Sequence, residues 1–284
     1  MRPFGSRWNW LVGALALLTP ALALAVTFLI YRGSPTKPGS FPAVVGLTYE
    51  FERGPRCTGA MISNDMVLTA GHCLCATLKY NIRLTNVFVG DDATDRALAT
   101  RGHFFPVTGW RAAYDCKTQM STTGVDVGVV RIDRPIQGMS PLEFASNDII
   151  SRAQTMLITG FGATDVSGKH FDYRKRFAIV PVISTDCDPL DVRVEGCKPG
   201  REMVAGKLAS PDTCSGDSGS PILAAPQLDA NYAKEAELRI AGITSRGVAT
   251  SETECGGGGI YVLLTPPVRQ WITAAEAALR RQAG

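Results

Sequence analysis

The chain has 284 residues, 45% of them hydrophobic and 19% charged, with 29 glycines, 17 prolines and a net charge of +3. This is a globular composition with room for one large or two small domains. The charge is too small and too scattered to argue for a nucleic-acid partner: basic residues come singly or in short pairs such as Arg280-Arg281, the pattern of a solvated face.

The beginning of the chain is of different material. After Arg2 and Arg7 there is no charge from Trp8 to Tyr31, and residues 11–30 are apolar apart from Thr19, Pro20 and Thr27. A basic start, an apolar run and small residues ending at Ala23 or Ala25 describe a cleavable signal peptide. The same run is also long enough for a signal anchor with its basic end inside. Both readings predict export, to a secreted or periplasmic location or to the outer side of a membrane. A membrane partner follows only if the segment stays uncleaved. So simple a leader suits a bacterium.

Beyond it, short apolar runs alternate with Gly, Pro, Asn, Asp and Ser. Runs at 66–69, 86–90, 125–132, 155–162, 177–183, 238–244 and 260–265 have the length and spacing of strands in a barrel or sandwich. Residues 134–144, with Pro135, Gly138 and Pro141, form the expected crossing between two barrels. A helical period is convincing only at the end, where Val268, Trp271, Ile272, Ala275 and Leu279 make one apolar stripe after the breaker Pro266-Pro267. The expected fold is all-β: two packed antiparallel β-barrels with a C-terminal α-helix. The expected division is a leader at 1–29, a first barrel at 30–139, and a second barrel plus helix at 140–284.

Eight cysteines, at 57, 73, 75, 116, 187, 197, 214 and 255, are an even number. In an exported chain this predicts disulfides. A zinc site at Cys57, Cys73 and Cys75 is the rival reading. It lacks a Cys-x-x-Cys pair, and His72 abuts Cys73 too closely for both to ligate one ion well. No metal and no cofactor is expected.

The chemistry starts from histidine, present only as His72, His103 and His170. His72 ends an apolar run in Thr69-Ala70-Gly71-His72-Cys73, where a disulfide at Cys73 would fix the side chain as a general base requires. Ser218 lies in Gly216-Asp217-Ser218-Gly219-Ser220. The flanking glycines permit unusual backbone angles and close approach of a substrate. They also free the Gly216 and Ser218 N–H groups to converge on a developing oxyanion. A plain surface turn has the same composition.

Residue order separates the hydrolase classes. No histidine follows Ser218, which excludes the α/β-hydrolase order, and Ser220 breaks that class's Gly-x-Ser-x-Gly elbow. Only Asp65 precedes His72 closely, so the subtilisin order fails as well. The order His, Asp, Ser remains. Its aspartate is Asp126, in the apolar run Val125-Asp126-Val127-Gly128-Val129-Val130, where an unpaired carboxylate would be costly to bury.

These residues resemble the chymotrypsin/trypsin family. Thr-Ala-Gly-His-Cys at 69–73 is similar to its histidine motif, with Gly71 in place of alanine. Asp-Val-Gly-Val-Val at 126–130 is similar to its aspartate motif, with Gly128 in place of alanine. Gly-Asp-Ser-Gly-Ser-Pro at 216–221 is similar to its serine motif, with Ser220 in place of glycine. Thr159-Gly160-Phe161-Gly162 and Ser245-Arg246-Gly247 resemble two further family segments.

The resemblance implies a serine endopeptidase acting on proteins or peptides and open to protein inhibitors. Ser218 would be the nucleophile, His72 the base and Asp126 its orienter, with Ser245 bonded near Asp126. Asp212 would lie at the base of the primary specificity pocket, with Gly247 and Gly259 keeping its walls open, which implies cleavage after Arg or Lys. Arg246 stands where the family has tryptophan, and a free guanidinium there would favour acidic or polar residues further upstream. A side chain turned to solvent is the other reading. The resemblance implies Cys57–Cys73 and Cys214–Cys255 disulfides; Cys75–Cys116 and Cys187–Cys197 are the simplest pairing of the rest. For activation it implies a new terminus at Ile30 whose ammonium pairs with Asp217, although Arg32 replaces a glycine and no basic residue precedes the cut. A catalytically silent binding protein on the same scaffold is the alternative function.

Overall fold

Twelve strands carry the fold in a computed structural model that describes residues 30–79, 82–94, 102–116, 120–121, 125–207, 210–228, 235–249 and 251–282. The leader or anchor expected at 1–29 lies outside the described residues. Among those described, no helix is long and apolar enough to cross a membrane.

The first barrel is built from β1 (Val44–Tyr49), β2 (Cys57–Met61), β3 (Met66–Thr69), β4 (Leu84–Gly90), β5 (Gly102–Ala112) and β6 (Gly128–Ile132). They close in the order β1-β2-β3-β6-β5-β4, every pairing antiparallel. Closure leaves no edge strand exposed to a second chain. The second barrel has β7 (Thr155–Gly160), β8 (Arg176–Ser184), β9 (Glu202–Ala205), β10 (Pro221–Ala224), β11 (Arg239–Gly247) and β12 (Gly259–Leu263). It closes through β8–β9, again with antiparallel pairs only. The connection over residues 133–146 joins the two barrels, as the run of turn formers at 134–144 suggests.

The apolar core does not stop at the boundary between barrels. Leu157, Leu223, Ile243 and Val262 of the second barrel belong to the same buried cluster as Leu47, Leu68 and Val129 of the first. A second cluster, with Met156, Ile158, Ile222 and Tyr261, fills the second barrel.

The two chain ends exchange sides. Residues Ser34–Pro35 pair with Phe177 and Arg176 of β8, so the segment that leads into the first barrel is held by the second. Helix α4 (Pro266–Arg281), which follows the second barrel, buries Val268, Ile272, Ala275 and Leu279 in the cluster of the first. Each of the larger three side chains is worth about 1.5–3 kcal/mol when fully buried. Pro266 and Pro267 are not a break before α4 but its first turn, where a missing N–H costs nothing.

Three short helices were not legible from periodicity: α1 (Gly71–Lys79), α2 (Asn147–Arg152) and α3 (Pro189–Val194). The last two have six residues each, too few to show a 3.6-residue repeat. Their caps carry the signal instead. Ser146 accepts from Ile149 N, and Asp188 accepts from Leu190 N and Asp191 N.

Candidate active site

Strand β3 runs through Leu68 and Thr69 into α1, so His72 stands in the first turn of a helix rather than at the end of a strand. Likewise Asp126 lies in the extended segment just before β6. Leu74 of α1 packs against Gly128 so closely that a Cβ on residue 128 would sit 2.5 Å from Leu74 Cδ1. An alanine at 128 would require the Leu74 side chain to shift.

The two side chains meet in register. His72 Nδ1 lies 2.7 Å from Asp126 Oδ2, and the His72 backbone N–H donates to Asp126 Oδ1 at 2.9 Å. Ser245 of β11, in the other barrel, donates its hydroxyl to Asp126 Oδ2 at 2.8 Å. Burial by itself would lower the His72 pKa, but the charge and hydrogen bond of Asp126 outweigh it and hold the imidazole above its ordinary value. Burial would raise Asp126, but His72 and Ser245 together hold it below the usual carboxylate range.

Ser218 reaches the same place from the loop before β10. Its carbonyl accepts from Thr58 N at 2.9 Å and lies 3.5 Å from Cys73 Sγ, the residue next to His72. Thr58 also donates its hydroxyl to Gly216 O at 2.9 Å, so one β2 residue grips both ends of the serine loop. Gly219 fits only because it lacks a Cβ. Its φ is +83°, and an added carbon would overlap Thr69 Oγ1 and Thr58 O. Gly216 has φ +97°. Its N–H and that of Ser218 donate to no protein acceptor among the described residues. Ser220, where glycine was expected, is buried and bonds Thr244 Oγ1 at 2.8 Å.

Asp212, at 2% exposure, is the other buried acid of the loop. Its Oδ2 accepts from Gly256 N at 2.9 Å and Gly258 N at 3.0 Å, while Oδ1 has no partner among the described residues. Burial pushes its pKa up to about 6 against the lowering effect of those amides. Gly259 stands close by: a Cβ there would come within 3.0 Å of Thr213 Oγ1. A Cβ on Gly247 would make ordinary contacts with Glu254 O at 3.8 Å and Gly258 O at 4.0 Å. The Asp212 N–H is held by Tyr31 O at 3.0 Å, which ties the start of the described chain to this pocket.

Asp217 is fully buried, and its oxygens accept from Gly162 N at 2.8 Å and Cys214 N at 3.0 Å. Burial pushes it up to about 7. Ile30 is also fully buried, but packs with Met156, Ile158 and Ala145. No hydrogen bond links it to Asp217 among the described residues.

Arg246 is partly exposed, with a side-chain exposure of 38%, but its guanidinium is paired. Its Nη1 and Nη2 each lie 2.8 Å from an oxygen of Glu202, a residue of β9 that is 2% exposed. The guanidinium thus has a carboxylate partner within its own chain, which neither sequence expectation included. Glu202 itself escaped sequence reasoning, since nothing in Arg201-Glu202-Met203 marks a buried charge. His103 and His170 are exposed.

All eight cysteines pair: Cys57–Cys73, Cys75–Cys116, Cys187–Cys197 and Cys214–Cys255. The ligand atoms of Cys57, His72 and Cys73 lie within 4.8 Å of one another, yet the two sulfurs are bonded to each other and leave no thiolate for zinc. Four disulfides fit a protein working outside the reducing cytosol.

Two closed antiparallel barrels with a His–Asp pair and a glycine-flanked serine at their junction define a double-barrel serine hydrolase. The family model described as Trypsin matches residues 30–272, and the chain belongs to that family. It is similar to chymotrypsin-like elastase family member 3B of Macaca mulatta, 28% identical over 68% of this chain and 75% of that protein. It is 28% identical to the CLIP domain-containing serine protease B10 of Anopheles gambiae, over 68% of this chain and 58% of the relative. Trypsin iota of Drosophila melanogaster is 26% identical over 93% of this chain and 95% of that protein. The chain is a serine endopeptidase, and its substrates are proteins or peptides.

Proposed function

We propose that this protein is an exported endopeptidase cutting after Arg or Lys through Ser218, His72 and Asp126. The observation that carries the specificity is Asp212 Oδ1, a buried oxygen with no partner among the described residues, in a pocket walled by glycines. A guanidinium or ammonium entering the pocket supplies the missing charge and hydrogen bonds, whereas an apolar side chain leaves the carboxylate unpaired.

In this reading Ser218 Oγ attacks the carbonyl carbon while His72 Nε2 takes its proton. The C=O electron pair moves onto oxygen, where the N–H groups of Gly216 and Ser218 receive it. Collapse of that intermediate breaks the C–N bond, and His72 returns the proton to the leaving amine. Water then repeats the sequence on the acyl-enzyme and releases the acid. Asp126 holds the tautomer with the proton on Nδ1 and stabilises the imidazolium. Each oxyanion donor is worth on the order of 3 kcal/mol.

For activation, a cut before Ile30 frees an ammonium that pairs with buried Asp217. Supporting this are the raised pKa of Asp217, which marks a carboxylate short of a cation, and the burial of Ile30. Residues 1–29 act as the export signal or as an anchor.

The test is covalent. An arginine-based phosphonate should label wild-type enzyme at Ser218 and fail on Ser218→Ala. Asp212→Ser should keep reacting with a non-selective phosphonate but lose the arginine-based one. Absence of any labelling would return the silent binding protein; equal labelling of Asp212→Ser by both probes would remove the Arg/Lys assignment.

A further inference from the structure

Arg246 is held more firmly than a surface arginine. Each terminal nitrogen of its guanidinium has two protons, and all four are assigned. Nη1 donates to Glu202 Oε1 at 2.8 Å and to Ser245 Oγ at 3.4 Å. Nη2 donates to Glu202 Oε2 at 2.8 Å and to Gly196 O at 3.1 Å. Glu202 is fixed in turn, because Lys198 N donates to its Oε2 at 2.8 Å. The planar fork of arginine suits this two-point grip, which a lysine cannot reproduce.

Ser245 links this cluster to the reaction centre. Its hydroxyl carries one proton, directed at Asp126 Oδ2. A cationic N–H facing the same oxygen occupies its acceptor side and polarises the hydroxyl toward Asp126. We infer that the Glu202–Arg246 pair is a positioning device for the Ser245–Asp126–His72 line, reaching the reacting atoms through those residues. The inference rests on the triad reading given above.

Glu202 has a second role here, as counter-charge. Among the described residues, the charged groups that act on Arg246 are Glu202 of β9 and Asp126 ahead of β6, and His72 of α1 is coupled to the cluster through Asp126. With Glu202 ionised, Arg246 contributes little net potential at His72. Without it, the guanidinium opposes the imidazolium.

The test uses processed enzyme and a blocked single-residue arginine anilide, which does not extend past the specificity pocket. The double variant Arg246→Leu/Glu202→Leu removes the pair without leaving a lone buried charge. Its kcat should fall about three- to tenfold, the range one modest hydrogen bond carries, with KM changed by less than about twofold. Glu202→Gln should move the acid limb of kcat/KM to lower pH by roughly half a unit. Wild-type kcat in the double variant together with an unmoved acid limb in Glu202→Gln would overturn the inference. So would a defect confined to longer peptides and expressed in KM, which assigns the pair to substrate contact. Turnover surviving Ser218→Ala would instead overturn the triad reading, and this one with it.

Discussion

His72 Nδ1 and Asp126 Oδ2 stand 2.7 Å apart across the junction of α1 and the segment before β6, in a site where Asp126 is 9% exposed. At that distance and burial the carboxylate selects one imidazole tautomer and favours its charged form. Asp126→Asn keeps the shape and reverses the tautomer preference. Its kcat should drop on the order of 10⁴-fold, measured by steady-state turnover of an arginine reporter, with binding of a reversible arginine mimic retained.

Two pH dependences follow, of different kinds. The raised His72 pKa means that its neutral, proton-accepting form is lost as pH falls through a value above about 6.5, so kcat should decline on that acid limb. Asp212, raised to about 6, is ionised above that pH and loses its charge below it. KM for an arginine substrate should therefore rise as pH drops below about 6. A substrate with a neutral residue at the cleavage point should show the histidine limb alone.

Gly128 separates packing from chemistry. Gly128→Ala places a methyl 2.5 Å from Leu74 Cδ1, and overpacking of this kind costs about 1–3 kcal/mol. Urea unfolding should show that loss, and kcat should fall because α1 carries His72. Leu74→Ala in the same chain should recover part of the activity.

Activation has a direct readout. Protein cut before Ile30 should turn over faster than uncut protein. Asp217→Asn should remove the gain, since the amide cannot pair with the new ammonium. Acetylating the freed amine should have the same effect.

The triad candidates were legible in sequence because each sits inside a run whose composition is unusual: an apolar run leading into His72-Cys73, a carboxylate among valines at 126, glycines on either side of Ser218. Most of the long strands were legible from their apolar runs. Helix α1 was not, because its residues Gly71, His72 and Cys73 read equally well as the end of a strand. Only contact with β6 decides the matter.

Sequence alone determined the class of fold, the order of the reactive residues and the likeness to a family, since these depend on local composition and on order along one chain. Tertiary structure alone decided what Arg246 pairs with. Its partner Glu202 is 44 residues away, and the two meet because β9 and β11 both flank β12 in a closed barrel. The exchange of chain segments has the same origin: Ser34–Pro35 pairs with, and α4 buries its apolar face on, the barrel that each does not adjoin in sequence. Charge neutralisation and burial depend on distance in space, and closing a barrel makes neighbours of residues whose separation along the chain gives no sign of it.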